Sequence, residues 1–225
     1  MSTYLVLNIL VIIVPLILSF EKKIKFYKKF RELSISMLTV GSIFILWDIF
    51  AVIRGDWNFN TQYINGFYLL SLPLEEILFF ITIPYSSIFL YETLKFYLQK
   101  KIPANEFYLN KIYPAFIIIV LLILSVVFVN RYYTFTILSF CAVFLLVSIF
   151  LFYDLLTSKL YWIFISATYI PFVIVNYFLT SLPIVIYNPE AIWGIRVLTI
   201  PVEDFFYSYT LLSLDLFIYI KSGRR

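Results

Sequence analysis

The sequence contains no histidine and a single cysteine, Cys141, inside an apolar run. A disulfide, a histidine-ligated metal or haem and a Ser-His-Asp triad are therefore excluded. Any chemistry falls to carboxyls, hydroxyls and backbone groups, and neither a metal nor a cofactor is expected. Charged residues make up 13% of the chain, against roughly 25% in ordinary soluble domains. Glycine and proline are also scarce, five and nine in 225 residues. The chain lacks the frequent turns of an all-β protein and reads as long apolar blocks between short polar breaks. With 63% hydrophobic residues and a mean hydropathy of +0.96, the composition is that of an integral membrane protein. Lipid admits only helices or closed barrels, and no alternation in strand-length blocks is present. The expected fold is all-α, a polytopic membrane helical bundle.

Apolar blocks near the roughly 20 residues that cross a bilayer lie at 3–20, 35–53, 67–92, 112–129, 132–153, 160–181 and 196–220, which predicts seven transmembrane helices. The first block is followed by lysines and has no small-residue cleavage site, so it reads as a retained span and not a signal peptide. Assigning the breaks alternately to the two sides puts Lys22, Lys23, Lys25, Lys28, Lys29, Arg31, Lys95, Lys100, Lys101, Lys111, Lys159, Lys221, Arg224 and Arg225 on one, and Arg54, Arg131 and Arg196 on the other. By the positive-inside rule the protein is a multi-pass protein of the cell membrane, its N-terminus outside and its C-terminus cytoplasmic. The same placement of cations accounts for the net charge of +4, so no nucleic-acid partner is expected.

LPLEEILFF, residues 72–80, sets two carboxylates in an apolar run, and a shift of 128 residues lays it on IPVEDFFYS, 200–208. Without a gap Asn60 meets Asn188, Gly66 meets Gly194, Pro73 meets Pro201, Glu75 meets Glu203 and Glu76 meets Asp204. Asp48 falls on Asn176, with Phe44 on Phe172 and Phe50 on Phe178. The expected organisation is a first three-helix repeat at 1–98, a linker and connecting helix at 99–130, and a second three-helix repeat at 131–225. An even number of helices separates the copies, so both run the same way and are related by an axis along the membrane normal, with the acidic pairs facing one another.

A carboxylate at mid-bilayer costs about 2.5–3.5 kcal/mol on insertion scales, so four in two short segments call for a role. They could glue helices together, reach water at a span end, or do acid–base work. Depth stays open: a helix starting at Gly66 buries Glu75 deeply, whereas one opened by Pro73 holds the pair in its first turn. Neighbouring residues point about 100° apart on a helix. One acid of each pair is therefore expected to face a pocket and the other to hydrogen-bond or tune it, so that one pair donates a proton and the other removes one. Aromatic faces stabilise cations, and Phe79, Phe80, Phe205, Phe206, Tyr207 and Tyr209 follow the acids closely enough to line such a pocket. Trp57 and Trp193 read as interface anchors, and Asp48 and Asn176 as helix glue or support for the acids. Glu92, Asp154 and Asp215 lie near cytoplasmic span ends and are expected in solvent.

PLEEILFF and PVEDFFYS, with WDIFAVIRGDWNFN at 47–60 and N-x5-G before each acidic segment, resemble the small membrane-embedded lycopene cyclases of the heterodimeric type, here in fused single-chain form. The resemblance covers essentially the whole chain. In that family two three-helix polypeptides cooperate, as separate subunits or joined through an extra helix. It implies protonation of the acyclic end of lycopene, ring closure through a carbocation and proton loss to a β-ionone end, with no redox change. It carries over Glu75, Glu76, Glu203 and Asp204 as catalytic residues, with Pro73 and Pro201 as shaping residues. The W-D pair at 47 and 48 has become Val175 and Asn176, so the halves are not equivalent. The implied partners are lycopene or a related acyclic carotenoid and the lipid bilayer; self-association and association with other carotenoid enzymes stay open. A carotenoid hydratase quenching the cation with water, and a proton-coupled transporter, are the alternatives. A retinal protein is excluded, because 196–220 has no lysine.

Overall fold

The computed structural model describes residues 1–98 and 110–223. The expected linker at 99–109 and the cations Lys100, Lys101, Arg224 and Arg225 lie outside the described residues. The fold is all-helical. In chain order the elements are α1 (Thr3–Leu18), a 3-10 turn (Phe26–Lys29), α2 (Phe30–Arg54), β1 (Trp57–Phe59), β2 (Tyr68–Leu69), β3 (Leu72–Pro73), α3 (Leu74–Leu98), α4 (Ile112–Val127), α5 (Tyr132–Leu151), α6 (Tyr153–Leu156), α7 (Lys159–Ser181), β4 (Val185–Tyr187), β5 (Arg196–Val197), β6 (Ile200–Pro201) and α8 (Val202–Ser222). Among the described residues four helical stretches are long and apolar enough to cross a membrane: Phe26–Arg54, Leu74–Leu98, Tyr132–Leu151 and Lys159–Ser181. Helices α1 and α4 are apolar but shorter, 16 residues each.

The blocks expected to cross from 67 and from 196 begin differently. Residues 68–73 and 196–201 form two-stranded hairpins, β2–β3 and β5–β6, and the helices start behind Pro73 and at Val202. Proline has no N–H to give, so it suits the start of a helix and stops the strand before it. Each acidic pair thus occupies the first turn of its helix.

The helices pack crosswise between the halves: α2 lies on α8 and α7 on α3, while α1 packs on α3 and α5 on α8. A short antiparallel sheet joins β1 to β4, pairing Trp57 with Tyr187 and Phe59 with Val185. Apolar faces do not drive helices together in lipid, so polar contacts and close packing must do so. Asn8 supplies one such contact, donating to the Glu75 carbonyl at 3.1 Å and accepting from Thr82 at 2.7 Å. Substituting Asn8 by Leu removes both bonds, leaving the Thr82 hydroxyl only a 3.4 Å contact with the Phe79 carbonyl, and is expected to cost about 1–2 kcal/mol; a thermal melt in detergent equal to the parent's would refute this.

Two acids expected in solvent are buried instead. Asp215 is 0% exposed and accepts the Ser36 hydroxyl, and Glu92 is 5% exposed, paired with Lys29 and accepting the Tyr219 hydroxyl at 2.9 Å. The ends of α2, α3 and α8 converge there, so these acids face neighbouring helices and not water. Asp154 is exposed, as expected.

Candidate active site

The four acids of the paired segments separate into two kinds. Glu75 and Glu203, each 1% exposed, turn toward the loops ahead of their helices. Glu75 Oε1 accepts from Ser2 Oγ at 2.6 Å and from the Asn65 amide at 2.7 Å. Glu203 Oε1 accepts from Thr134 Oγ1 at 2.5 Å and from the Trp193 amide at 2.6 Å. One oxygen in each case ties together a hydroxyl at the start of another helix and an amide of the preceding loop. Gly66 and Gly194 directly follow those amide donors, at φ 79° and 96°. No neighbouring atom lies within 4 Å of a Cβ at Gly194, so Gly194→Ala is expected to destabilise by backbone strain alone, about 1–2 kcal/mol. Its melting temperature against that of the parent measures this directly.

Glu76 and Asp204 turn the other way and line one cavity, with an empty volume of about 1000 Å³ counting its open mouth. Tyr4 donates its hydroxyl to Glu76 Oε2 at 2.5 Å, and Oε1 has no hydrogen-bond partner among the described residues. Asp204 is held at both oxygens, by Tyr133 at 2.8 Å and by Tyr187 at 2.8 Å. The difference traces to one sequence position: 128 residues before Tyr187 stands Phe59, which reaches the same cavity without a hydroxyl. Burial, and then the charge of Asp204, push the Tyr187 phenol well above its ordinary value, so it remains a donor. A carboxyl accepting at both oxygens is arranged to receive, whereas one with a free oxygen toward the cavity has a place for an acid proton.

The cavity is a slot. Glu76 and Leu90, both on its wall, are fourteen positions apart on α3, about 21 Å at 1.5 Å per residue. Carboxyls and phenols gather at one end, and the rest is bounded mostly by apolar side chains such as Ile83, Pro171, Leu211 and Leu212, with Ser86, Ser87, Thr168 and Ser208 among them. Such a shape takes a long apolar molecule by its tip.

Of the residues singled out from the sequence, Phe79 and Tyr207 line this cavity with the acids, and Asp48 and Asn176 line it from α2 and α7. Phe80 is packed in the helix core at 1% exposure. Phe205 and Phe206 border a separate apolar groove with Cys141, Tyr169 and Tyr209. Pro73 and Pro201 end the hairpins ahead of the acids. Asn60 and Asn188 shape loops, accepting the amides of Gln62 at 3.1 Å and Glu190 at 3.0 Å. Trp57, expected as an interface anchor, is instead 5% exposed and on the cavity wall, because the pairing of β1 with β4 turns it inward. Trp193 rests on Phe128.

Sequence reasoning missed Tyr4, Tyr133 and Tyr187, along with Ser2 and Thr134. Tyr4 and Tyr133 are 129 positions apart while their carboxyl partners are 128 apart, so an ungapped comparison never sets the two tyrosines together. Allowing a one-residue slip after the first helix would have found them.

The family described as Lycopene cyclase matches residues 1–94 and 130–221. No curated protein and no solved structure matches the chain. The matched segments include both acidic pairs and the three tyrosines that hold Glu76 and Asp204, and they span well over half of the sequence. The chain belongs to the lycopene cyclase family.

Proposed function

We propose that the protein closes the acyclic ends of lycopene, or of a related acyclic carotenoid, to β-ionone rings, with Glu76 as proton donor and Asp204 as base. One observation carries this reading: the two carboxyls share an apolar slot, and Asp204 accepts phenols at both oxygens while Glu76 keeps one free. The Glu76 O–H bond breaks as its proton adds to the terminal double bond of the end group. The cation so formed is attacked by the next alkene of the same chain, which closes the six-membered ring and moves the cation into it. Asp204 then takes the adjacent ring proton, and the electrons of that C–H bond become the ring double bond. One proton is added and one removed, with no change of oxidation state, which makes the enzyme an isomerase of the intramolecular lyase type.

The walls fit this course. Phe59, Phe79, Phe172 and Tyr207 present aromatic rings to the slot, and a desolvated cation gains about 2 kcal/mol from such a face. The apolar lining keeps out water that would quench the cation. Glu75 and Glu203 act here as anchors that fix the first turns of α3 and α8 and so aim their neighbours.

The same reading includes seven spans, parallel repeats at 1–98 and 131–225 joined through 99–130, an outer N-terminus and a cytoplasmic C-terminus. It is supported by the recurrence of the Tyr4–Glu76 bond as Tyr133–Asp204 and of Ser2–Glu75 as Thr134–Glu203. It is supported also by the cation bias between the two sets of loops.

Expression in a lycopene-accumulating host tests the function. The expected product has the mass of lycopene and absorbs at shorter wavelength, because the ring double bond is twisted out of the plane of the polyene. A product heavier by one water would assign a hydratase, and unaltered lycopene beside well-folded protein would overturn the reading.

A further inference from the structure

We propose that Asp48 is the proton store of the site, reloading Glu76 after each ring closure; this rests on Glu76 being the donor. Asp48 projects from α2 into the wall of the slot and is 2% exposed. Its near donor is the Trp57 indole, and Oδ2 is buried with no hydrogen-bond partner among the described residues. An anion there would leave an uncompensated oxygen against an apolar cavity, whereas a neutral acid carries its proton on that oxygen. Asp48 and Glu76 line the same slot, together with Tyr4, Tyr187 and Tyr207, and the charge of Glu76 acts on Asp48. Two carboxyls so placed in an apolar site hold a proton between them more readily than two negative charges.

The arrangement exists on one side of the slot only. The positions 128 residues beyond Asp48 and Trp57 hold Asn176 and Val185. Both also line the cavity, but an amide and an alkyl group have no acid proton to give.

Catalysis makes such a store useful. When a ring has closed, Glu76 is a carboxylate and Asp204 holds the proton taken from the ring. Asp48 passes its proton to Glu76 and becomes the carboxylate in turn. Once the ring leaves, Asp204 gives up its proton and Asp48 takes one up at the open mouth of the slot, so that one proton goes out, one comes in and every group is as it began.

Full-length protein in lipid vesicles loaded with lycopene, quenched at intervals and scored for rings per protein, tests this. Asp48→Asn should form its first ring at nearly the parent rate and then slow by about 10²-fold, the lower range for a lost proton-transfer group. Asp48→Glu, which keeps a carboxyl, should restore the later turnovers, and Asp48→Ser should reproduce the burst and slow phase in a smaller side chain. Steady turnover equal to the parent's in Asp48→Asn overturns the proposal. So does loss of the first ring in Asp48→Asn and Asp48→Ser alike, which would make Asp48 the donor itself or a structural residue. Glu76→Gln separates the two ideas: if it retains the burst, the assignment of Glu76 fails whatever Asp48 does.

Discussion

Glu76→Gln is expected to abolish ring closure while leaving the fold intact. Glutamine fills the same volume, and its carbonyl oxygen still accepts the Tyr4 hydroxyl that Glu76 Oε2 accepts at 2.5 Å. It has no acid proton for an alkene, which is too weak a base to take one from an amide. Loss of a positioned proton donor lowers rates by about 10²–10⁴, and an alkene gives the lost group no substitute at neutral pH. The variant should accumulate, melt with the parent and leave lycopene unaltered. Retention of more than a tenth of parental ring formation would remove Glu76 from the donor role.

Asp204→Asn should lose activity to a similar extent but with a second, separate penalty. Tyr133 and Tyr187 each donate to a different oxygen of Asp204. An asparagine offers one oxygen and one NH₂, so one phenol can only accept from that NH₂ and its own O–H loses the acceptor it had. An unsatisfied buried group costs about 1–3 kcal/mol, so this variant should melt below the parent, as Glu76→Gln does not. Combining Asp204→Asn with Tyr187→Phe, the residue type that the other half carries at Phe59, should regain part of that stability and none of the activity. A single Asp204→Asn melt equal to the parent's would show that the phenols do not hold this carboxyl in the folded protein. Full ring formation in it would place the base elsewhere.

The two variants test why the site is unsymmetrical although its sequence segments look paired. PLEEILFF and PVEDFFYS differ little in character, and nothing in either says which acid gives and which takes. In the proposed assignment the distinction comes from residues outside both segments: Tyr187 against Phe59, and Asp48 with Trp57 against Asn176 with Val185. These neighbours reach the acids from β1, β4, α2 and α7, and short-range patterning holds no record of which strand or helix will lie alongside.

Some expectations failed for a related reason. Hydropathy ran the third and seventh spans back to 67 and 196, because Phe67, Tyr68, Leu69 and Leu70 are as apolar as the helix behind them. Proline at 73 and 201 marked the true boundary, and the conformational limit it imposes outranked composition. Glu92 and Asp215 were placed in water by their distance along the chain, yet partners on other helices enclose them.

Composition by itself determined the all-helical, strongly apolar character of this protein, and the absence of histidine is what turns the proposed chemistry toward carboxyls. The 128-residue correspondence picked out the two acidic segments, and helical geometry required that the acids within each point apart. Which one faces the cavity was decided by the tertiary structure, through Ser2, Asn65, Thr134 and Trp193 drawing Glu75 and Glu203 to the loops and leaving Glu76 and Asp204 to the slot. The physical reason is that a hydrogen bond joins whatever groups the packing brings within about 3 Å, and these partners lie up to 73 positions away along the chain.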